Sequence, residues 1–349
     1  HTPVMLQLRI RACHLQGTFV ARDNLAPPIS MHRRAAPAPV DVGRIPHPPG
    51  TFAHERLKVA ERLPAARRYI AEHGINERFG SDGEAGVIVQ GGIWPNLVQA
   101  LAVAGFLDDD GLPRLPVLVL NATYPLVPDE LAAFCRGKRA VLVLEEGHPA
   151  FIEFELAAHL AHAGVACAIE GKAAMGEAGE YQAEAIVGGL SRFVAKHAPE
   201  LAGGAAERWR GEVEAARARA AQLIGARMPP RPPGFCTGCP ERPVFSALKL
   251  VERELGPRHC AADVGCHSFA MFAPFHIGHT IAGYGMGLAS AAAVAPIQRQ
   301  RPLATVGDGG FWHGGFGAGV AAAVKNGTDA VLLVFKNGYS SATGTQELV

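Results

Sequence analysis

The chain has 349 residues, which is enough for two or three domains of ordinary size. Its 33 Lys and Arg residues nearly balance its 32 Asp and Glu residues, so the formal net charge of +1 favours neither nucleic acid nor an anionic membrane. The longest apolar runs have the length of a strand and fall far short of the ~20 residues of a membrane helix. We therefore expect a cytoplasmic protein that binds neither nucleic acid nor membranes.

Seven cysteines lie at uneven spacings along the chain. This usage favours metal or cluster ligation in a reducing compartment over a secreted disulfide framework. The chain starts at His1 without an initiator Met, and it stops in a loop at Val349. We expect a fragment of a longer polypeptide that begins and ends inside domains.

The first half of the chain alternates strands and helices. A strand is predicted at residues 5–10, a proline-rich linker at 27–49 and a helix at 54–72. The alternating elements that follow are strands at 87–90, 115–120, 140–144 and 166–169, and helices at 95–104, 128–135 and 153–163. Short apolar strands that alternate with amphipathic helices predict a parallel sheet with helices on both faces.

A second domain is predicted to begin near Met228. A long helix at 205–224 is ended by the proline run at 229–233. The elements after it are a two-cysteine loop, a helix at 243–255, a glycine-rich segment at 278–289, a strand at 303–306 and a strand that ends at Phe335.

The sharpest chemical signal is Gly307-Asp308-Gly309 directly after a strand. Asn337 follows the next strand, 29 positions after Asp308. The carboxyl ends of neighbouring parallel strands meet at one edge of a sheet, where ligands bind in open α/β folds. A carboxylate and an amide oxygen suit Mg²⁺, and glycines let backbone N–H groups approach a diphosphate. A Gly-Asp-Gly turn by itself is often only a turn, and its pairing with Asn337 favours the site.

These residues resemble the metal and diphosphate motif of thiamine-diphosphate enzymes. The continuation through residues 337–344 is similar to a loop of the pyruvate and indolepyruvate:ferredoxin oxidoreductases. The resemblance implies that the side chains of Asp308 and Asn337 and the main-chain carbonyl of Tyr339 bind Mg²⁺. The cofactor-binding residues that it implies are Gly307, Asp308, Gly309, Asn337, Tyr339, Thr343 and Gly344.

A Cys-x-x-Cys loop is the second signal. Cys236 and Cys239 could form a redox dithiol, half of a zinc site or half of an iron–sulfur site, and the pair alone does not decide. The family has a similar loop and a later Gly-Cys, which implies that Cys236, Cys239 and Cys266 hold a [4Fe–4S] cluster. A fourth ligand is not identified, and a purely structural loop remains the alternative.

The resemblance extends to the rest of the chain and implies three segments. Residues 1–40 resemble the end of a pyrimidine-binding domain with a linker, and residues 41–225 a transketolase C-terminal-like middle domain with a trailing helix. Residues 226–349 resemble a thiamine-diphosphate-binding domain, truncated at its C-terminus. The fold class implied is α/β, with parallel-sheet domains of the thiamine-diphosphate enzyme type. The Glu that activates the cofactor in this family is expected upstream of His1.

Several other polar and aromatic side chains invite a role. Glu145 and Glu146 are adjacent at a strand end, point to opposite faces and are expected to form a structural turn. Most lone histidines are structural, but His313 follows Asp308 by five positions and is the candidate catalytic proton donor. Phe311 and Trp312 are expected in the domain core.

The function implied is oxidative decarboxylation of an aryl 2-oxoacid similar to indolepyruvate. The acyl group would pass to coenzyme A, and the electrons would pass through iron–sulfur centres to a ferredoxin-type acceptor. The implied partners include a second subunit of the beta or gamma type, or a fused domain, in an oligomer. Two alternatives stay open: a non-oxidative thiamine-dependent decarboxylase or synthase, and a cofactor-less scaffold subunit with a zinc-stapled loop.

Overall fold

A computed structural model of the chain describes residues 4–9, 18, 20, 41–225, 232–341 and 343–348. Two compact units make it up, His1–Gly225 and Ala226–Val349. Most of the predicted linker, the boundary at Met228 and the start of the proline run lie outside the described residues. Residues 4–9 were predicted as part of a strand, but they pair with none of the described strands and have no regular structure.

The first unit is built on a five-stranded sheet in the order β1-β3-β2-β4-β5. Its strands are β1 (Glu77–Phe79), β2 (Ala85–Gln90), β3 (Val117–Leu120), β4 (Ala140–Leu144) and β5 (Ala168–Glu170). Its helices are α1 (Thr51–Leu57), α2 (Leu63–Glu72), α3 (Trp94–Ala104), α4 (Pro128–Cys135), α5 (Phe151–His162), α6 (Lys172–Met175), α7 (Ala183–His197) and α8 (Ala205–Ile224). All neighbouring strands run parallel except β1, which is antiparallel to β3.

Helices cover both faces of this sheet, which is why its inner strands β3 and β4 are apolar without interruption. Alternate side chains of β2 enter different cores: Val87 packs with residues of α3 and α7, and Ile88 packs with residues of α4 and α5. The same alternation holds along β4, where Leu142 and Val143 belong to opposite cores. Every residue of β3 and β4 is buried.

Local sequence explains where the helices begin and end. Pro128 opens α4, where its missing N–H costs nothing, and Asp129 and Glu130 follow in the first turn, where their charge opposes the positive end of the helix dipole. Gly105 ends α3 in the left-handed conformation at φ 76°. These signals made the start of α4 and the end of α3 predictable from the sequence.

The glutamates at the end of β4 stabilise this unit. The buried Glu145 carboxylate accepts hydrogen bonds from the backbone N–H of Ile152, both at 3.0 Å, at the start of α5. Glu146 accepts a hydrogen bond from Tyr181 N at 2.8 Å and forms an ion pair with Arg9, whose Nη2 lies 2.6 Å from Glu146 Oε2. The two carboxylates therefore have different partners, as a structural turn requires.

The second unit has a four-stranded parallel sheet in the order β7-β6-β8-β9. Its strands are β6 (Cys260–Ala262), β7 (Thr280–Ile281), β8 (Leu303–Gly307) and β9 (Val331–Phe335), and a small hairpin pairs β10 (Tyr339–Ser340) with β11 (Gln346–Glu347). Its helices are α9 (Glu241–Leu255), α10 (Gly287–Val294), α11 (Asp308–Gly310), a π-helix at Phe311–Val320 and α12 (Ala321–Lys325). Helices again pack on both faces, since Phe245 of α9 contributes to one core and Leu288 of α10 to the other.

The predicted α/β class with parallel sheets is therefore confirmed. Within the described part of the chain, none of the helices combines the length and the hydrophobicity that crossing a membrane requires.

Replacing Leu142 with Ala is expected to lower the free energy of unfolding of the first unit by about 2–5 kcal/mol, because it leaves a cavity in a close-packed core. Leu142 has 0% of its surface exposed. Denaturant unfolding followed by circular dichroism measures the change. Leu223→Ala is the matched control: Leu223 is 79% exposed on α8, so an effect within about 0.5 kcal/mol is expected. Equal effects of the two substitutions would contradict the placement of Leu142.

Candidate functional site

The carboxyl ends of β8 and β9 bring Asp308 and Asn337 together. Gly307 pairs with Phe335 at the end of the two strands, so the residues that follow them are neighbours. Asp308 is 4% exposed, and its Oδ2 accepts hydrogen bonds from the backbone N–H of Asn337 at 3.0 Å and of Gly338 at 2.7 Å. The two halves of the predicted motif are thus joined by the carboxylate itself.

The same carboxylate also stabilises its own turn. Asp308 Oδ1 accepts a hydrogen bond from the backbone N–H of Gly309 at 3.0 Å. Each carboxylate oxygen has two lone pairs, so one site, on Oδ1, remains beside these three bonds for a cation. A buried carboxylate with this reserve is a suitable charged ligand for Mg²⁺.

The loop after β9 orders Asn337 and Tyr339. Asn337 Oδ1 accepts a hydrogen bond from the backbone N–H of Tyr339 at 3.1 Å, and its Nδ2 donates to Ser341 Oγ at 3.3 Å. The amide oxygen therefore has one lone pair still available, and the backbone N–H of the same residue is bound to Asp308. Tyr339 opens the short hairpin strand β10 and pairs with Glu347 of β11.

Beside this loop is a cavity of about 390 Å³. Its lining residues are Tyr284, Gly309, Trp312, His313, Ser340, Thr343, Gln346, Glu347 and Leu348. The Tyr284 hydroxyl lies 2.7 Å from Ser340 Oγ, and a Cβ on Gly309 would collide with both hydroxyls. A side chain at Gly309 would therefore displace these two hydroxyls, and the Gly309 backbone borders the cavity directly.

Predicted site residues contribute to this cavity to different degrees. His313 lines it and packs against the Tyr284 ring, with centroids 5.3 Å apart. Thr343 lies in the β10–β11 hairpin, where its hydroxyl donates to Gln346 Oε1, and Gly344 has a φ of 112° next to it. The structure thus brings Gly309, His313 and Thr343 to one cavity beside Asp308.

Trp312 was expected in the core, and this expectation is wrong. It is 62% exposed and lines the cavity, where it packs against Phe316 at 5.9 Å. The buried face of this π-helix is made by Gly315 and Gly319 instead, and Gly319 packs against Leu288 of α10. The two helices lie so close together that only glycines fit on the side facing the core, and the aromatic rings therefore lie on the outer side.

The cysteines do not assemble in the same way. Cys236 is exposed, Cys239 is half-buried, and their loop is closed by a 3.2 Å hydrogen bond from Cys239 N to Cys236 O. Cys266 Sγ lies 3.3 Å from Ser341 Oγ, next to the loop after β9. Among the described residues, no group of three or more His, Cys, Asp or Glu side chains is arranged to hold a metal ion. An iron–sulfur cluster ligated by all three cysteines therefore stays a prediction, because the described residues do not bring the three together as ligands.

Three residues at the site were not identified from the sequence. Ser340 lies inside the loop at 337–344, and Tyr284 lies in the glycine-rich segment at 278–289. Neither residue is part of a sequence pattern that indicates a role in a site. Asp263 directly follows β6, so the rule that ligands bind at the carboxyl ends of strands could have identified it.

Comparison with known proteins connects the same segment to a cofactor. Residues 263–349 match the family model described as thiamine pyrophosphate enzyme, C-terminal TPP binding domain. This segment contains the ends of β8 and β9, the cavity and the hairpin. No solved structure matches the chain.

The chain is also similar to proteins named indolepyruvate oxidoreductase subunit IorA. The one from Methanothermobacter marburgensis is 26% identical over 355 residues, which cover 99% of this chain and 52% of that protein. The one from Methanothermobacter thermautotrophicus is 27% identical over 352 residues, with 99% and 52% covered. The one from Archaeoglobus fulgidus is 28% identical over 298 residues, with 84% and 44% covered. The chain spans about half the length of these relatives, and the resemblance inferred from its motifs is confirmed.

Replacing Asp308 with Ala is expected to speed hydrogen exchange at the backbone amides of Asn337 and Gly338. Both amides lose their acceptor, and a hydrogen bond to a charged group contributes about 1.5–3 kcal/mol, so roughly tenfold faster exchange is the minimum. Exchange followed by mass spectrometry measures the rates. Asp329→Ala is the control, because Asp329 is an exposed residue of the same unit that pairs with Arg301. Unchanged exchange in the Asp308 variant would refute the bonding described above.

Alkylation should separate the cysteines of metal-free protein at pH 8. Burial raises the pKa of the Cys260 thiol to about 11, and the side chain is 1% exposed. Only about 0.1% of such a thiol is thiolate at this pH, and the fraction rises as the pH approaches the pKa. Iodoacetamide is expected to label the exposed Cys236 and to spare Cys260, as peptide mass spectrometry will show. Labelling of native Cys260 at the rate of Cys236 would contradict its buried position.

Proposed function

We propose that this chain, which is similar to indolepyruvate oxidoreductase subunits along almost all of its length, is the thiamine-diphosphate-binding part of an oxidoreductase acting on an aryl 2-oxoacid. The observation that carries the proposal is the junction of Asp308 with the Asn337 loop beside a cavity of about 390 Å³. It lies inside the segment that matches a thiamine-diphosphate-binding family model.

The residues present fit a diphosphate held through Mg²⁺. Asp308 supplies a buried carboxylate, Asn337 an amide oxygen and Tyr339 a main-chain carbonyl. Such a set of oxygen ligands suits Mg²⁺, which keeps further positions for phosphate oxygens and water. Gly307 and Gly309 have no side chains that would keep a diphosphate away from the turn between β8 and α11.

Thiamine diphosphate, when bound, supplies the carbanion for attack on a 2-keto carbon and the electron sink for loss of CO₂. The protein contributes orientation and proton transfer. The Tyr284 and Ser340 hydroxyls are placed to hydrogen-bond a ligand in the cavity, since both border it. The His313 imidazole lies on the same wall, and we propose that it exchanges a proton with the substrate there.

We further propose coenzyme A as the acyl acceptor and a ferredoxin-type protein as the electron acceptor. The support for both is the resemblance of the chain to 2-oxoacid:ferredoxin oxidoreductases. Cys236, Cys239 and Cys266 do not form a ligand group among the described residues, so we assign no electron-transfer step to them.

The remaining parts of the enzyme are proposed from the same resemblance. Residues 41–225 would be a transketolase C-terminal-like middle domain, and a pyrimidine-binding domain with the activating Glu would complete the cofactor site. A second subunit of the beta or gamma type, or a fused domain, would be a further partner in an oligomer. Support comes from the relatives, which are named as subunits and are about twice as long as this chain.

Removing the charged ligand is expected to weaken cofactor binding. In the intact enzyme, Asp308→Ala should weaken thiamine diphosphate binding in the presence of Mg²⁺ at least about tenfold, which corresponds to ~1.4 kcal/mol. Asn337→Ala should have a smaller effect in the same direction, because it removes a neutral ligand. Isothermal titration calorimetry measures both affinities.

Asp329→Ala is the matched control, since it removes an exposed carboxylate of the same unit and should leave the affinity unchanged. Wild-type affinity in the Asp308 variant would refute the proposed metal site. Failure of the wild-type enzyme to bind the cofactor at all would favour a scaffold subunit.

A further inference from the structure

We infer that Asp263 is a positioning residue that joins the two glycine turns of the cofactor site; the inference rests on the function proposed above. Asp263 directly follows β6 and is 0% exposed. Its Oδ2 accepts a hydrogen bond from the backbone N–H of Gly285 at 2.8 Å, and its Oδ1 accepts one from Gly307 at 3.3 Å. One carboxylate thus holds the turn before α10 and the turn that leads into Asp308.

A third element is tied to the same carboxylate through a histidine. His267 Nε2 lies 2.6 Å from Asp263 Oδ1, and the residue is only 2% exposed. The imidazole stacks on Phe335, the last residue of β9, with centroids 5.4 Å apart and planes at 6°. Asn337 follows Phe335 by two positions. Asp263 and His267 therefore connect β6 to both strands after which the proposed metal ligands lie.

The two glycine turns pack so closely around the carboxylate that neither Gly285 nor Gly310 has room for a side chain. Gly285 has a φ of +76°, and a Cβ there would collide with the carbonyl of Gly310 and the backbone N–H of Gly315. A Cβ on Gly310 would in turn collide with Asp263 Oδ2. Both turns therefore lie in direct backbone contact, and the carboxylate fills the position that a side chain would occupy.

Asp263 has no room for a ligand of its own, so it acts through the turns that it holds. It is fully buried, its oxygens accept hydrogen bonds from two backbone N–H groups, and the His267 imidazole lies within ion-pair distance of Oδ1. Its backbone N–H donates to Thr305 O of β8 at 3.0 Å, which aligns the strand that delivers Gly307. Displacement of Gly307 would shift Asp308 and the adjoining cavity wall, because Asp308 is the next residue.

Asp263→Asn is the informative substitution. It keeps the size of the side chain but replaces one acceptor oxygen with an NH₂ group that faces a donor. In the intact enzyme we expect the KM for thiamine diphosphate to rise about tenfold or more, with kcat at saturating cofactor within about threefold of wild type. The backbone amides of Gly285 and Gly307 should exchange at least about tenfold faster in the absence of cofactor.

His267 gives a pair of variants that test the same contact with less disturbance. His267→Phe keeps an aromatic ring against Phe335 but removes the partner of Asp263, and it should raise the KM for the cofactor about threefold or more. His267→Gln restores a donor in reach of the carboxylate and should return the KM towards wild type. These variants decide the question if Asp263→Asn fails to fold.

Leu303→Ala is the matched control for loss of stability. Leu303 is a buried core residue at the amino end of β8, away from the glycine turns. The Leu303→Ala substitution should lower the unfolding temperature. Below that temperature it should leave unchanged both the KM for thiamine diphosphate and the hydrogen exchange of the Gly285 and Gly307 backbone amides.

Two results would overturn the inference. The first is a rise in KM that is equal in the Asp263 and Leu303 variants, which would make the role of Asp263 one of general stability. The second is unchanged exchange at Gly285 and Gly307 in Asp263→Asn. If the wild-type enzyme does not bind thiamine diphosphate, the proposed function fails, while the exchange rates still test whether Asp263 holds the turns.

Discussion

The site depends on one buried carboxylate that binds backbone N–H groups of the segments that follow two neighbouring strands, β8 and β9. Asp308 accepts hydrogen bonds from Gly309 in its own turn and from Asn337 and Gly338 in the loop after the next strand. The parallel pairing of β8 with β9 makes this possible, because it places the ends of the two strands side by side. The loop fixed in this way delivers Ser340 to the cavity wall.

A second carboxylate supports the first from inside the domain. Asp263 holds the turns at Gly285 and Gly307, whereas Asp308 closes the loop on the other side of the same strand end. Only the outer carboxylate adjoins the cavity residues, so the two have separate tasks: the inner one positions the backbone, and the outer one is available to a cation. Glycines between them allow contacts too close for any side chain.

Much of this arrangement could be predicted from the sequence, and the exceptions have physical causes. The convergence of Asp308 and Asn337 follows from strand direction alone. Asp263 was missed because β6 has only three residues and its partner Gly285 lies 22 positions further on, so no local pattern marks the contact. The prediction for Trp312 was wrong because it assumed that a large hydrophobic side chain is buried, whereas the buried residues of this helix are glycines. The Cys236 loop showed no spacing from which the position of Cys266 beside Ser341 could be inferred.

The central claim is that the end of β8 and β9 binds thiamine diphosphate through a divalent cation. Calorimetric titration of the intact wild-type protein with thiamine diphosphate, once with Mg²⁺ and once with a chelator, tests it most directly. We expect saturable binding with Mg²⁺ and loss of that binding when the cation is removed, because the oxygen ligands of Asp308 and Asn337 attract the diphosphate only through the metal. Absence of binding with Mg²⁺, or equal affinity in the presence of the chelator, would contradict this cofactor site.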